Sequence, residues 1–386
     1  MERNKMKICA IICEYNPFHN GHLYQLSAAR ELSGADAVVC LMSGNFVQRG
    51  EAAILEKHIR AKHALLAGAD AVLELPALFA TSNAELFAKG AVKILSSVPA
   101  VSTLCFGAEN ADKTAFLQAA ETLDEEPQSV SEKIKRLVGD GVSYARARAE
   151  AWKDQIPENL LSTPNNILGL EYTKAIRALG ANIDILPLQR VGGGYLDERL
   201  HAQYSSATAI RAALKTGEPL ETQVPRFVLP DLPKTTENKL ELLEKYALLS
   251  RSAEEIASVC DCTEGLENAL KRVAETDMPI VETLTSPRYT ASRIRRIALQ
   301  NLLKIDEKSI RECLRAPLYL RVLAAKKDRA DVLSALGSSV FPLLARAHDD
   351  EKLSPVAKRC LETDIFAEKV YRILYDLSVT EKNIFL

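Results

Sequence analysis

Apolar residues along this chain fall into short continuous runs separated by longer amphipathic stretches. Ile8-Cys9-Ala10-Ile11-Ile12-Cys13 is apolar at every position, as suits a strand covered on both faces of a parallel sheet. Leu23 to Leu32 follows with helical spacing. The alternation repeats with strands expected at Asp36 to Met42, Asp70 to Leu75, Val101 to Phe106 and Ile183 to Leu188. Helices are expected at about Glu56 to Ala67, Ser82 to Leu95, through 110–160, and, after a turn opening at Ser162-Thr163-Pro164, to about Leu179. Such spacing predicts βαβ crossovers and an α/β, doubly wound, Rossmann-like parallel sheet. Pro219, Pro225, Pro230 and Pro233 then break the pattern. Helical periodicity dominates beyond them, without further βα alternation. The expected organisation is a sheet domain over 1–217, a linker over 218–235 and a mainly α-helical domain over 236–386.

In doubly wound sheets ligands sit beyond the carboxyl ends of the strands. The first such end carries Glu14-Tyr15-Asn16-Pro17-Phe18-His19-Asn20-Gly21-His22. Pro17 should end the ladder, and a helix starting near Asn20 would aim unpaired N–H groups and its positive dipole end at an anion. His19 and His22 lie three residues apart and so share a face of the first turn. Two imidazoles there can donate hydrogen bonds to phosphoryl oxygens as charge grows on a departing pyrophosphate. The same pair also admits a metal site or two ordinary helix-start residues, but no third ligand stands at a recognisable spacing. Gly21 would let a ligand approach the backbone.

Other strand ends add candidates. Gly107 follows the fourth strand, either as a plain turn glycine or as a place for a base or ribose. Gln48, Arg49 and Glu51 follow the second strand, either solvated or facing a second substrate. Asn165 and Asn166 open a helix, as caps or as an amide for an adenine edge. Arg190 ends the fifth strand before Gly192-Gly193-Gly194, which is no Walker A because no Gly-Lys-Ser/Thr follows. Ser206, Thr208 and Arg211 open the next helix, whose N-terminus suits phosphates.

Composition narrows the function classes. The 386 residues are 47% apolar and 26% charged, with a net charge of −2, so a globular protein with only local nucleic-acid contact is expected. No apolar run reaches membrane length and no signal-peptide core follows Met1, which makes the cytoplasm the expected compartment and excludes a membrane partner. Eight cysteines lack any CxxC pair and are expected to be reduced; Cys260 and Cys262 are too close for easy bridging. Residues 288–329 hold 12 Lys or Arg against 4 Asp or Glu. That excess points to a phosphate backbone, with Tyr289 as a stacking surface, or to a solvated face.

The Pro-Phe-His-Asn-Gly-His turn resembles the HxGH signature of the nucleotidylyltransferase superfamily. The longer Glu14 to Tyr24 match, together with Phe106-Gly107, Pro164 to Leu168, Arg190 onward and Arg288 to Arg296, is similar to the bacterial tRNA(Met) cytidine acetate ligase family. Tyr204 to Arg211 resembles the superfamily's second signature, Ile-Ser-Ser-Thr-x-x-Arg, with Ser205 and Ala207 as departures. The resemblance implies a nucleotidylyltransferase-like ATP-binding domain followed by a helical tRNA-binding domain. It implies activation of acetate by ATP as acetyl-adenylate and transfer of acetyl to the wobble cytidine of elongator tRNA(Met). The expected catalytic residues are His19 and His22. The expected ATP contacts are Ile12, Cys13, Glu14, Tyr15, Asn16, Pro17, Phe18, His19, Asn20, Gly21, His22, Leu23, Tyr24, Gln25, Gly107, Asn165 and Arg190. Ser206, Thr208 and Arg211 are expected at the triphosphate, and Arg288, Arg293, Arg295 and Arg296 at tRNA. Mg²⁺ is expected with ATP, with no dedicated metal ligands and no obligatory protein partner. A plain nucleotidylyltransferase adenylating a phosphorylated small molecule is the alternative.

Overall fold

The computed structural model describes residues 6–190, 200–201, 204–234, 238–346, 348–377 and 384–386. The glycine loop at 192–194 and the 235/236 boundary lie outside the described residues. Strand β1 (Ile8–Cys13) sits mid-sheet, flanked in parallel by β2 (Ala37–Ser43) and β4 (Val101–Ala108). Outward lie β3 (Ala71–Leu75), parallel to β2, and β5 (Asp184–Gln189), parallel to β4. These five strands match the expected ones to within two residues at each end.

The all-apolar strand pattern has a simple origin. Ile8, Ala10 and Ile12 of β1 enter one hydrophobic cluster, while Cys9, Ile11 and Cys13 enter another on the opposite face. Both faces are covered, so neither parity can be polar. The covering helices include α1 (Asn20–Ser33), α2 (Lys57–Leu66), α3 (Ala84–Ser96), α4 (Pro164–Ala178) and α5 (Ala207–Thr216). A two-residue-per-strand hairpin, Phe46–Val47 with Glu51–Ala52, projects after β2.

The C-terminal part is mainly helical, as expected, but departs from the expectation that no further strands follow. Helices α6 (Leu240–Ser250) and α7 (Ala291–Leu303) belong to a helical unit with its own cluster, from Leu248 to Ile297. The chain then returns to the sheet. Strand β6 (Leu320–Ala325) pairs antiparallel with β3, and β7 (Leu343–Leu344) and β8 (Ile384–Phe385) pair in parallel with β6. A six-residue segment such as Leu320 to Ala325, apolar except for Arg321, cannot be told from a buried helix segment by periodicity, which is why the sequence concealed it. The proline-rich stretch is also packed, with Leu220, Val224 and Val228 buried on the sheet and Asp231 2.8 Å from His63.

Helix α8 (Pro355–Tyr375) is fastened to the sheet by buried charges. Lys57 Nζ lies 3.1 Å from Glu74 and 2.9 Å from Glu368, and Arg321 reaches Glu74 at 2.8 Å. Burial, followed by the Glu74 charge, pushes the neighbouring Asp364 carboxyl up to about 7. All eight cysteines are free thiols, seven of them buried. No helix among the described residues is long and apolar enough to cross a membrane.

Candidate active site

The turn after β1 is fixed from several sides. Tyr15 takes a left-handed backbone, φ 51°, a conformation that a bulky residue holds only when its surroundings enforce it. Its ring packs on Phe18 and His22, each with centroids 4.8 Å away, and Tyr15 and Phe18 are fully buried. Asn16 Oδ1 accepts from Ile54 N at 2.9 Å. The buried Arg60 guanidinium donates to the carbonyls of Glu14, Ser43, Gly44 and Leu55. It thereby ties the ends of β1 and β2 together.

His19 is the N-cap of α1, and with His22 it closes a reciprocal capping box. Gly21 N donates to His19 Nδ1 at 3.1 Å, while His19 N donates to His22 Nδ1 at 3.3 Å. The rings stack at 3.6 Å between centroids. Each Nδ1 is therefore an acceptor, so in the neutral ring the proton resides on Nε2. Burial first, then the charges of Arg190 and Arg211, lowers the His19 pKa to about 3. Burial, His19 and Arg190 likewise hold His22 well below the usual range. Both are neutral imidazoles with an Nε2–H to donate. A Cβ at Gly21 would lie 2.9 Å from His19 Cε1, so this glycine makes room for the capping ring itself.

The histidines open onto a cleft of about 500 Å³ lined by His19, Gly21, His22, Tyr24, Gln25, Gly107, Leu188, Gln189, Arg190, Tyr204 and Ser205. Seven of these are expected site residues. From the 12–25 stretch, Ile12 to Phe18, Asn20 and Leu23 do not line it; several of them brace the turn instead. Leu188, Gln189, Tyr204 and Ser205 were not anticipated as site residues, although the last two lie within the Tyr204 to Arg211 match to the second signature. Arg190 is positioned by its own N–H, which bonds Ala108 O at 2.9 Å across the β4–β5 edge.

Asn165 and Asn166 separate clearly. Asn166 is fully buried; its Oδ1 accepts from Glu109 N and Asn110 N, and its Nδ2 donates to Asn159 O. Its side chain is committed to the β4–α4 connection. Asn165 gives Nδ2 to Glu109 Oε1 at 2.6 Å. Neither lines the cleft, which they approach through Glu109, whose carbonyl accepts from Gln189 Nε2.

At the start of α5, Ser206 caps the helix by accepting from Ala209 N at 3.0 Å. Arg211 donates to Asn16 O at 2.8 Å and approaches Thr208 Oγ1 at 3.4 Å. The second signature is thus joined to the first through the Asn16 carbonyl.

Comparison with known proteins agrees with this geometry. The family described as HIGH Nucleotidyl Transferase matches residues 6–384. The tRNA(Met) cytidine acetate ligase of Acetivibrio thermocellus is 37% identical over 96% of this chain and 95% of its own length. That of Geobacillus sp. is 40% identical over 84% of each. The chain belongs to the tRNA(Met) cytidine acetate ligase family. The fold of the family is also matched in crystal structures of Thermotoga maritima TmcAL. The apo form superposes with a TM-score of 0.90 at 28% identity, over 99% of this chain and all of that one. The form bound with alpha-thio ATP gives 0.87 at 29%, with the same coverage.

The arginines that resemble the ligase family at 288–296 are engaged with protein partners. Arg288 pairs with Glu264 at 3.0 Å. Arg293 donates to Asp261 O and Thr263 Oγ1 and sits 5.2 Å from the Tyr289 ring centroid. Arg295 pairs with Glu51 at 3.2 Å, and the nearly buried Arg296 lies 3.9 Å from Asp261. Farther along the 288–329 excess, Arg321, Lys326 and Arg329 pair with Glu74 and Asp70 at the sheet. The charge count therefore divides between two places.

Proposed function

We propose that this chain is an ATP-dependent ligase that activates acetate as acetyl-adenylate and transfers the acetyl group to the exocyclic amine of the wobble cytidine of elongator tRNA(Met), forming N4-acetylcytidine. The observation that carries the reading is the His19–His22 capping box, which turns two neutral Nε2–H donors to one cleft at the N-terminus of α1. Acetate is a poor acylating agent, and joining it to AMP supplies the leaving group that an aryl amine needs. A carboxylate oxygen attacks the α-phosphorus and pyrophosphate leaves. His19 and His22 stabilise the charge that accumulates on the phosphates, and Arg190 and Arg211 supply fixed positive charge beside them. Gly107 lets the nucleotide approach the β4 backbone. Of the two asparagines, Asn165 is assigned to the nucleotide, which would have to draw its amide from Glu109, since Asn166 is buried and committed to the fold. Ser206 and Thr208 hold the start of α5 at the triphosphate.

Among the described residues no three His, Cys, Asp or Glu side chains gather to hold a metal. Mg²⁺ would enter on the polyphosphate, as it commonly does. The helical unit carries the RNA, with Arg288, Arg293, Arg295 and Arg296 along its edge, and the reaction is cytoplasmic. The test is incubation of the purified chain with ATP, labelled acetate and total bacterial tRNA, followed by nucleoside analysis. ATP-dependent label in acetylcytidine is expected. Unlabelled RNA, with pyrophosphate released only on adding a phosphorylated metabolite, would overturn the reading.

A further inference from the structure

Three parts of the molecule meet on the seven-residue hairpin 46–52. Gln48 N donates to Glu14 Oε1 at 2.7 Å, and Gln48 Nε2 reaches Ser82 O at 3.2 Å. Gly50 has φ +76°, and a Cβ there would lie 2.5 Å from the backbone of Arg295 and Arg296, so the hairpin turn rests directly on α7. Glu51 then divides its carboxylate, with Oε1 3.2 Å from Arg295 Nη1 and Oε2 3.8 Å from Arg211 Nη2. One arginine belongs to the helix that opens at the nucleotide cleft. The other belongs to the helical unit.

We propose that Glu51 is a positioning residue through which triphosphate and RNA compete. The proposal rests on the functional reading above, which gives Arg211 to the triphosphate and Arg295 to the RNA. A triphosphate that draws Arg211 leaves the whole Glu51 charge to Arg295, where it opposes an RNA phosphate. An RNA phosphate on Arg295 turns Glu51 back toward Arg211, where it opposes the triphosphate. Linkage makes the two effects equal. The consequence is an order of events: the RNA binds well only after pyrophosphate has left, when an acyl-adenylate is ready for it.

Glu51→Gln removes the charge at nearly constant shape in a half-exposed side chain. Calorimetry on the full chain would compare α,β-methylene ATP with Mg²⁺ against AMP. The variant should bind the triphosphate about threefold tighter and AMP unchanged, whereas structural damage would weaken both. Elongator tRNA(Met) should bind the wild type about fivefold more weakly when the analogue is present, near the low end of usual coupling. That penalty should vanish in the variant. Equal triphosphate affinity in the two proteins, or a tRNA penalty that survives Glu51→Gln, would overturn the proposal. Failure of both proteins to bind tRNA would instead overturn the functional reading and the RNA half with it. The triphosphate comparison would still decide whether Glu51 restrains Arg211.

Discussion

The His19–His22 turn and the Arg288–Arg296 segment are both dense polar motifs, and they differ in what their partners leave over. Each histidine spends only Nδ1 on the backbone, so the cap that builds the helix also aims the remaining donor. The arginines are tied laterally, to Glu264, to the Asp261 carbonyl and to Glu51. In the first motif local geometry leaves a donor over beside the cleft. The second is a seam between elements, and any RNA phosphate must displace a protein partner there.

The comparison breaks first at His22. Under the proposed function, replacing it with Ala removes one donor to the developing phosphate charge, and loss of such a donor typically costs about 10²- to 10³-fold in kcat. Acetate-dependent ATP–pyrophosphate exchange should fall by that factor, with only a small change in melting midpoint from the lost half of the cap. A near wild-type exchange rate would make the pair structural. The pH behaviour sharpens this. His19 folds with a pKa near 3 against an ordinary 6.5, so the unfolded chain binds the proton more readily than the native one. Its contribution is intact above 6.5, where neither state is protonated, and stability should drain as pH falls from 6.5 toward 3. Exchange should show no acidic limb near 6.5 from either histidine.

The same contrast explains what could be read in the chain. The HxGH geometry is set within four residues, and the parallel strands are set by apolar runs that need cover on two faces; both are local and were legible. Gly21 was legible as a special position, but its reason, room for the His19 ring, needs a side chain folded back over its own helix start. The roles of Asn165 and Asn166 were decided by Glu109 and Asn159, and that of Arg60 by four carbonyls drawn from separate parts of the chain. Strand β6 joins the sheet beside β3, roughly 250 residues earlier in the chain, and no periodicity could announce it. A charge tally fails for the same reason. Twelve cations in 42 residues say nothing of which Asp or Glu, far off in sequence, will meet them.

Arg296 tests the seam reading at intermediate size. Its side chain is nearly buried and lies 3.9 Å from Asp261, while its backbone N sits under the hairpin turn at Gly50. Arg296→Ala should lower unfolding stability by about 1–3 kcal/mol, the range for losing a charged partner and its packing. Denaturant titration would read this directly. Stability near that of wild type, with tRNA binding selectively lost, would return Arg296 to the role of a free RNA contact.

The smallest effect should come from Arg288, whose protein partner lies at the surface. It pairs with Glu264 at the surface and lies 5.9 Å from the Tyr289 ring centroid, and exposed pairs of this kind contribute little to folding. Arg288→Ala should therefore leave the melting midpoint near that of wild type. It should weaken tRNA binding modestly across sequences and reduce the slope of log affinity against log salt by about 1, as expected for one phosphate contact. If the slope is unchanged, the RNA does not reach the Glu264 end of the segment. The contact must then be sought toward Arg293 and Arg295, where guanidinium groups lie beside Tyr289 and the hairpin and displacing a protein partner would be felt at the nucleotide cleft.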